Sequence, residues 1–392
     1  MAVDWSDLRP ELLETIARKL TVLGDYIRFR AVCVNWGSST PKTPKHLPCQ
    51  LPWLMLPHNR YSLSSCRALY SLTDNKVYAL NLPEASHRRR LCGSSHGWLI
   101  ILEESPAIFI INLLTRAKIN LLPLSAFPNV IDFNFSDVGR EYKLRDPDGD
   151  VYTRNLKEMR DSFVKKMILS SSPLNDSNYI AVAILNQTGD LAYLNNGEPF
   201  WRFIHEAHSY CEDVIYYNGL FYAVNKFGGI AVCDLQGDSP RVSFIDTPRH
   251  TVGDMEYLVN WMDELLLVTR YLELEFDVYL DIAYKTSEFR VFRLDLSGPK
   301  WERVTSLGDR VLFLGESLSL VLLSSDFPGC KGNCIYFADD YSEANYDGGS
   351  GDHDLGVYYL EDGSIEALLG FPRNSQTGFL CSPPIWVSPN LC

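Results

Sequence analysis

The sequence predicts a mainly β protein: a short three-helix segment followed by a β-propeller of about six blades, or seven. Three observations predict it. Helical periodicity of apolar residues is confined to the first forty positions. Short β-branched and aromatic runs fill the rest. A strand, turn, strand unit recurs at roughly fifty residues, the spacing of four-stranded blades.

The chain has 392 residues, more than one core usually organises, so length favours two units or one repeat array. A hydrophobic fraction of 46% beside 22% charged residues describes a globular chain with a sizeable core. The net charge of −13 is uneven: residues 1–45 carry seven Lys/Arg against five Asp/Glu, leaving −15 for the remainder. So acidic a β region repels phosphate backbones, which argues against general nucleic-acid binding. Met1 to Trp5 lack the basic and apolar stretches of a signal peptide. The most apolar stretch, Trp98 to Leu114, is broken by Glu103, Glu104, Ser105 and Pro106, and predicts two strands rather than a membrane span. The ten cysteines sit mostly inside apolar runs and read as reduced, buried thiols. These signs together predict an intracellular protein, nuclear or cytoplasmic, that engages no membrane.

The first element in order is a helix from about Pro10 to Leu20. Leu12, Leu13, Ile16 and Leu20 make one apolar stripe. Pro10 suits the first helical position, where its missing N–H costs nothing. Glu11 and Glu14 near the start and Arg18 and Lys19 near the end agree with the helix dipole, and Glu14 and Arg18 form an i,i+4 pair. After a break at Gly24-Asp25, Asp25 can cap a second short helix running to Arg30. Phe29, Val32, Cys33 and Trp36 supply apolar positions on a third. Gly37-Ser38-Ser39 and the proline-rich stretch from Thr40 to Pro52 then read as a linker. On spacing alone the stripe could pack onto the domain that follows, since amphipathic helices usually serve their own core.

The runs Leu8-Arg9-Pro10-Glu11-Leu12-Leu13 and Ile27-Arg28-Phe29-Arg30-Ala31-Val32-Cys33-Val34-Asn35-Trp36 resemble an F-box. Arg9 stands where the family places a proline, and Pro10 follows one position late. The resemblance implies that the helices bind a Skp-type adaptor and, through it, a cullin ubiquitin ligase. Leu8, Pro10, Leu12, Leu13, Ile16, Leu20, Ile27, Val32, Cys33 and Trp36 match the family's contact or core pattern. The expected division is an F-box at 1–40, a linker at 41–50 and a β-propeller at 51–392.

From Leu51 the texture is that of strands: PWLML, KVYALNL, HGWLIIL, AIFIINLL, YIAVAIL, GLFYAV, GIAVCDL, ELLLVTRY, FRVFRLDL, VLFLG, NCIYFADD and GVYYLED, many bounded by Gly, Asn or Asp. No long helical pattern alternates with them, which argues against a parallel α/β sheet. About six repeat units fit between Leu51 and Leu369, with unclear boundaries from Phe127 to Lys165. A β-sandwich is the alternative architecture, but the chain is long for one. LPWLML, GSSHGWLI, the Leu307–Phe337 block and the terminal SPPIWVSP resemble plant F-box proteins with a KIB-type β-propeller. That resemblance implies that the tail around Trp386 helps to close the ring on the first blade. The prolines before Trp386 suit a strand start, so a strand at about Ile385 to Ser388 is expected to pair within the blade holding Pro52 to Leu56.

Motifs for chemistry are sparse. Cys330 and Cys334 have loose zinc-ligand spacing but no second pair, and read as a turn before a strand. His205, His208 and Cys211 would converge only on a helix; a loop at a blade edge is expected instead. Asp146-Pro147-Asp148-Gly149-Asp150 lacks the later Glu of a calcium loop and reads as a hairpin turn. Asp347 to Asp354 is a glycine-rich loop, and His87-Arg88-Arg89-Arg90 reads as a solvated turn. No nucleophile elbow, phosphate loop or dinucleotide fingerprint occurs. No metal, cofactor or catalytic residue is therefore assigned. The expected function is a non-catalytic substrate-recruiting subunit that binds an adaptor and an unidentified protein substrate. A propeller hydrolase with packing helices, or an F-box-like scaffold without ubiquitination, are the alternatives.

Overall fold

The computed structural model describes residues 4–42, 44, 46–47, 50–56, 65–73, 75–85, 89–113, 115–237, 239–249, 252–276, 282–327, 330–340, 354–368 and 383–388. Helix α1 spans Pro10–Ala17, α2 Leu23–Arg30 and α3 Val34–Ser38. Pro10 is indeed the first helical residue, and Arg18 reaches Glu14 at 2.6 Å. Other local expectations shift. Asp25 lies inside α2 and pairs with Arg28 instead of capping the helix, whose N-cap is Val22. Phe29 belongs to α2; Val32 and Cys33 precede α3, leaving Trp36 as its apolar anchor. Leu13, Ala17, Tyr26 and Phe29 form a small core of their own, closed by Leu8, Leu20, Trp36 and Leu47. The Trp36 indole N–H donates to the Trp5 carbonyl, and its ring packs on Phe29 at 4.5 Å between centroids.

All twelve runs read as strands are strands. Six sheets form blades around an axis. Blade 1 holds Trp53–Met55, Cys66–Ser71 and Lys76–Asn81; blade 2 runs from Arg89–Ser95 to Lys118–Leu121, blade 3 from Val164–Leu169 to Arg202–Phe203, and blade 4 from Asp213–Tyr217 to Arg241–Ile245. Blade 5 runs from Met255–Trp261 to Lys300–Val304, and blade 6 has five strands between Arg310–Gly315 and Ile365–Ala367, with Leu318–Leu323 innermost. Tight hairpins at His96-Gly97 and Asn218-Gly219 place two successive residues at positive φ, as mirror-image turns require. A separate apolar cluster fills each junction, between blades 1 and 2, 2 and 3, 3 and 4, 4 and 5, 5 and 6, and 6 and 1. Six junctions for six blades describe a closed ring. Junction 2–3 is so tight that a Cβ on Gly93 would lie 2.0 Å from the Met167 carbonyl.

The stretch with unclear repeat boundaries holds an extra three-stranded sheet: Val130–Phe133, Tyr142–Arg145 and Val151–Arg154. It is an insertion, and Tyr142 and Leu144 pack into the junction of blades 2 and 3. Its Asp146–Asp150 turn is the expected hairpin.

The chain's last described strand, Ile385–Val387, is the innermost strand of blade 1, pairing Trp53 with Val387, Leu54 with Trp386 and Met55 with Ile385. Trp386 is fully buried against Phe313 of blade 6, so both chain ends share one blade and close the ring.

Candidate functional site

Two surfaces stand out, one on the helices and one at the propeller axis. On α1, Leu13 and Ala17 face inward one turn apart, while Leu12 and Ile16 face outward and remain 51% and 40% exposed. The stripe read as one face is thus two. Ile27 and Val32 are also outside, at 42% and 57%, and Pro10 is exposed. Leu8, Leu20, Cys33 and Trp36 are half-buried, and Leu13 is fully buried. The ten residues therefore divide between those that build the helical core and those that leave apolar area in water.

The second surface is a cavity of about 310 Å³ at the axis. Its lining includes Lys165, Lys166, Glu212, Asp213, Glu256, Glu316 and Asp340, and counts three lysines against six carboxylates. Most of these stand at the starts of innermost strands, which run in one direction. In blades 2 and 3, Arg90 near one strand start reaches the Val164 carbonyl, and Ser95 at the other end reaches the Leu169 carbonyl. The cavity lies at the start side. The chain enters the ring at Trp53, paired with Val387, the finishing end of the innermost strand of blade 1. Cavity and helices thus attach at opposite ends of the innermost strands.

Buried charge in the cavity is compensated by design of the strand starts. Lys166 meets Asp213 at 2.6 Å, both side chains nearly inaccessible, and Asp213 also accepts from the Leu258 and Val214 amides. Arg90 meets Glu316 at 2.9 Å; the run of basic residues expected in a solvated turn instead places Arg89 and Arg90 in the innermost strand of blade 2, because propeller axes are lined by strand starts. His87 and Arg88 lie outside the described residues. Arg270, with no exposure, donates to Asp340 at 2.7 Å, Asp354 at 2.9 Å and Thr286 at 2.8 Å. Burial pushes the Glu256 carboxyl up to about 8, although Thr269 donates to it at 2.7 Å. Burial likewise raises Glu316 and Asp340 against the pull of Arg90 and Arg270.

The remaining motifs fall as simple structure. His205 starts a single helical turn and His208 meets Asp190 at 3.0 Å. Cys334 begins a strand, its thiol donating to the Lys331 carbonyl. Among the described residues, no three metal-ligating side chains cluster, and no helix is long and apolar enough to cross a membrane. The loop at 347–353 lies outside the described residues.

Residues 69–359 match the KIB1-4 β-propeller family. The chain belongs to that family. Relatives of this KIB1-4 propeller protein extend the likeness beyond the ring to the helices. F-box protein SKIP23 of Arabidopsis thaliana is 28% identical, covering 98% of this chain and 96% of that protein. F-box only protein 7 of Arabidopsis thaliana is 26% identical over 86% of this chain and 85% of that protein. Among solved structures, the chain is similar to the Myceliophteria thermophila Cps50 (Swd1) β-propeller domain over 83% of this chain and 90% of that one, at 12% identity and a TM-score of 0.34.

The axial residues of this KIB1-4 propeller escaped sequence reasoning. A signal was present, since Lys165-Lys166, Glu256 and Arg270 interrupt runs that are otherwise apolar. What sequence lacked was the ring, which turns scattered interruptions into one site.

Proposed function

We propose that this protein is the substrate-recognition subunit of a Skp-cullin-F-box ubiquitin ligase, with residues 1–40 as the F-box, 41–50 as the connection and 51–392 as the recognition propeller. One observation carries the reading: the helices complete a core of their own yet leave Leu12, Ile16, Ile27 and Val32 in water. Burying each such side chain in a partner contributes about 1.5–3 kcal/mol. A Skp-type adaptor would cover Pro10, Leu12, Ile16, Ile27 and Val32, while Leu8, Leu13, Leu20, Cys33 and Trp36 hold the surface in shape. The protein to be ubiquitinated would dock at the cavity side of the ring, whose excess of carboxylates disfavours nucleic acid. Bond-making chemistry belongs to other subunits, so the chain itself acts without catalysis in the nucleus or cytoplasm. The names of the relatives, F-box proteins across nearly their full lengths, support the reading.

The test is reconstitution. The full chain, a Skp-type adaptor and a cullin are mixed and passed over a sizing column. Co-elution of all three is expected. Elution of the chain alone would overturn the proposal, and co-elution without ubiquitin transfer to any bound protein would leave a scaffold.

A further inference from the structure

Among the described residues, two contacts along α2 fasten the helices to the ring. Gln50 makes the first. Its side-chain oxygen accepts from the Leu23 N–H at 2.9 Å, and its side-chain nitrogen donates to the Thr21 carbonyl at 2.9 Å. Val22, the N-cap of α2, offers no side-chain acceptor. Gln50 therefore satisfies, from 27 residues along the chain, the N–H of the first helical residue, one of the donors that a helix start leaves unpaired. The next residue, Leu51, is buried in the junction between blades 6 and 1. No slack separates the residue that caps the helix from the residue that enters the propeller core.

Arg28 makes the second point. Its guanidinium donates to the Tyr78 hydroxyl at 2.9 Å and lies 5.5 Å from the ring centroid, while Asp25 holds its other nitrogen at 2.8 Å. Tyr78 stacks on Trp53 of blade 1. Upstream, His46 meets the Ala17 carbonyl at 3.0 Å and Leu47 packs on the helical core, so this connecting stretch is itself bonded to the helices. Leu23 and Arg28 are five residues apart, roughly 7.5 Å along a helix. One attachment would let α2 pivot; two on the same helix set its direction.

We propose that Gln50, Arg28 and Tyr78 are positioning residues that lock the three helices at a fixed orientation on blade 1. A partner on the outer side of α1 and a partner at the axial cavity are then held at a set angle and distance. The identity of those partners rests on the function proposed above; the lock is a property of the chain alone.

The experiment uses the full chain with spin labels at Thr15 on α1 and Lys143 on the inserted sheet, introduced through ketone-bearing residues so that the native cysteines stay. The parent is expected to give one narrow distance distribution. Gln50→Ala with Arg28→Ala is expected to broaden it at least about twofold, since units without a large interface reorient freely. Tm should move by no more than about one or two degrees and adaptor affinity by less than about twofold, because both residues lie near the surface and outside the apolar contact set. Gln50→Asn with Tyr78→Phe, which removes only reach and one hydroxyl, is the milder variant and is read in the same way. A broad distribution in the parent, or an unchanged narrow one in the variants, would overturn the lock. Failure of the adaptor to bind would leave the distance measurement intact and count only against the proposed function.

Discussion

The helical unit and the propeller solve the same burial problem in opposite ways. Among the described residues the propeller has six apolar junctions, each shared by neighbouring blades, and its last described strand returns to the first blade. The helices bury only Leu13, Leu23, Ala17, Tyr26 and Phe29, with large side chains outside. Thirty-odd residues enclose too little volume for all their apolar groups, as surface-to-volume scaling requires. The difference teaches where each region keeps its apolar and charged groups: the ring buries its apolar faces between blades and holds charge at its axis, whereas the helices leave Leu12, Ile16, Ile27 and Val32 in water.

The largest expected effect tests closure. Truncation after Pro383 removes Ile385–Val387, and burial of Trp386 alone is worth about 3–5 kcal/mol. Tm should fall by several degrees and protease should cut first in blade 1, with adaptor binding kept. A truncated chain as stable as the parent would mean that the ring is held elsewhere.

Next comes a pair of neighbours on α1. Leu13→Ala opens the helical core and should cost about 2–4 kcal/mol of local stability. Leu12→Ala, at a surface position, should stay within about 0.5 kcal/mol. Hydrogen exchange read separately over the helices and the blades checks this: Leu13→Ala should speed exchange in α1 and α2 and leave the blades untouched. Faster exchange throughout the blades would show that the two regions share one core.

The last effect lies at the axis and is read through pH. The folded protein holds Glu256 protonated up to about pH 8, whereas its ordinary value is 4.5. The folded state therefore keeps a proton that the unfolded chain releases. The associated stability is full below about pH 4.5 and is lost as pH rises toward 8, at up to about 1.4 kcal/mol per pH unit. Glu256→Gln should flatten that decline in urea titrations at pH 5 and pH 8. An unaltered slope would place the proton on another group.

Much of this architecture was legible because β-propellers repeat. Strand runs such as YIAVAIL and GLFYAV carry their own boundaries, and every one forms a strand. Trp386 between Ile385 and Val387 announced a strand where a free tail would not need one. Other features depend on three dimensions. The split of the α1 stripe into Leu13 inward and Leu12 with Ile16 outward follows from where α2 lies, which spacing along one helix does not encode. The insertion at 130–154 broke the repeat and so hid its own nature. Arg90 looked like a solvated charge because Glu316, its partner, is 226 residues away.

The central claim is that the outer side of α1 is an interface and its inner side a core. The most direct measurement is titration of a Skp-type adaptor onto the full chain, parent against Leu12→Asp with Ile16→Asp. A carboxylate buried without a partner is costly enough to abolish a complex of modest affinity. The account predicts loss of measurable binding in the variant, with circular dichroism and Tm equal to those of the parent. A variant that binds the adaptor with the parent's Kd would contradict it.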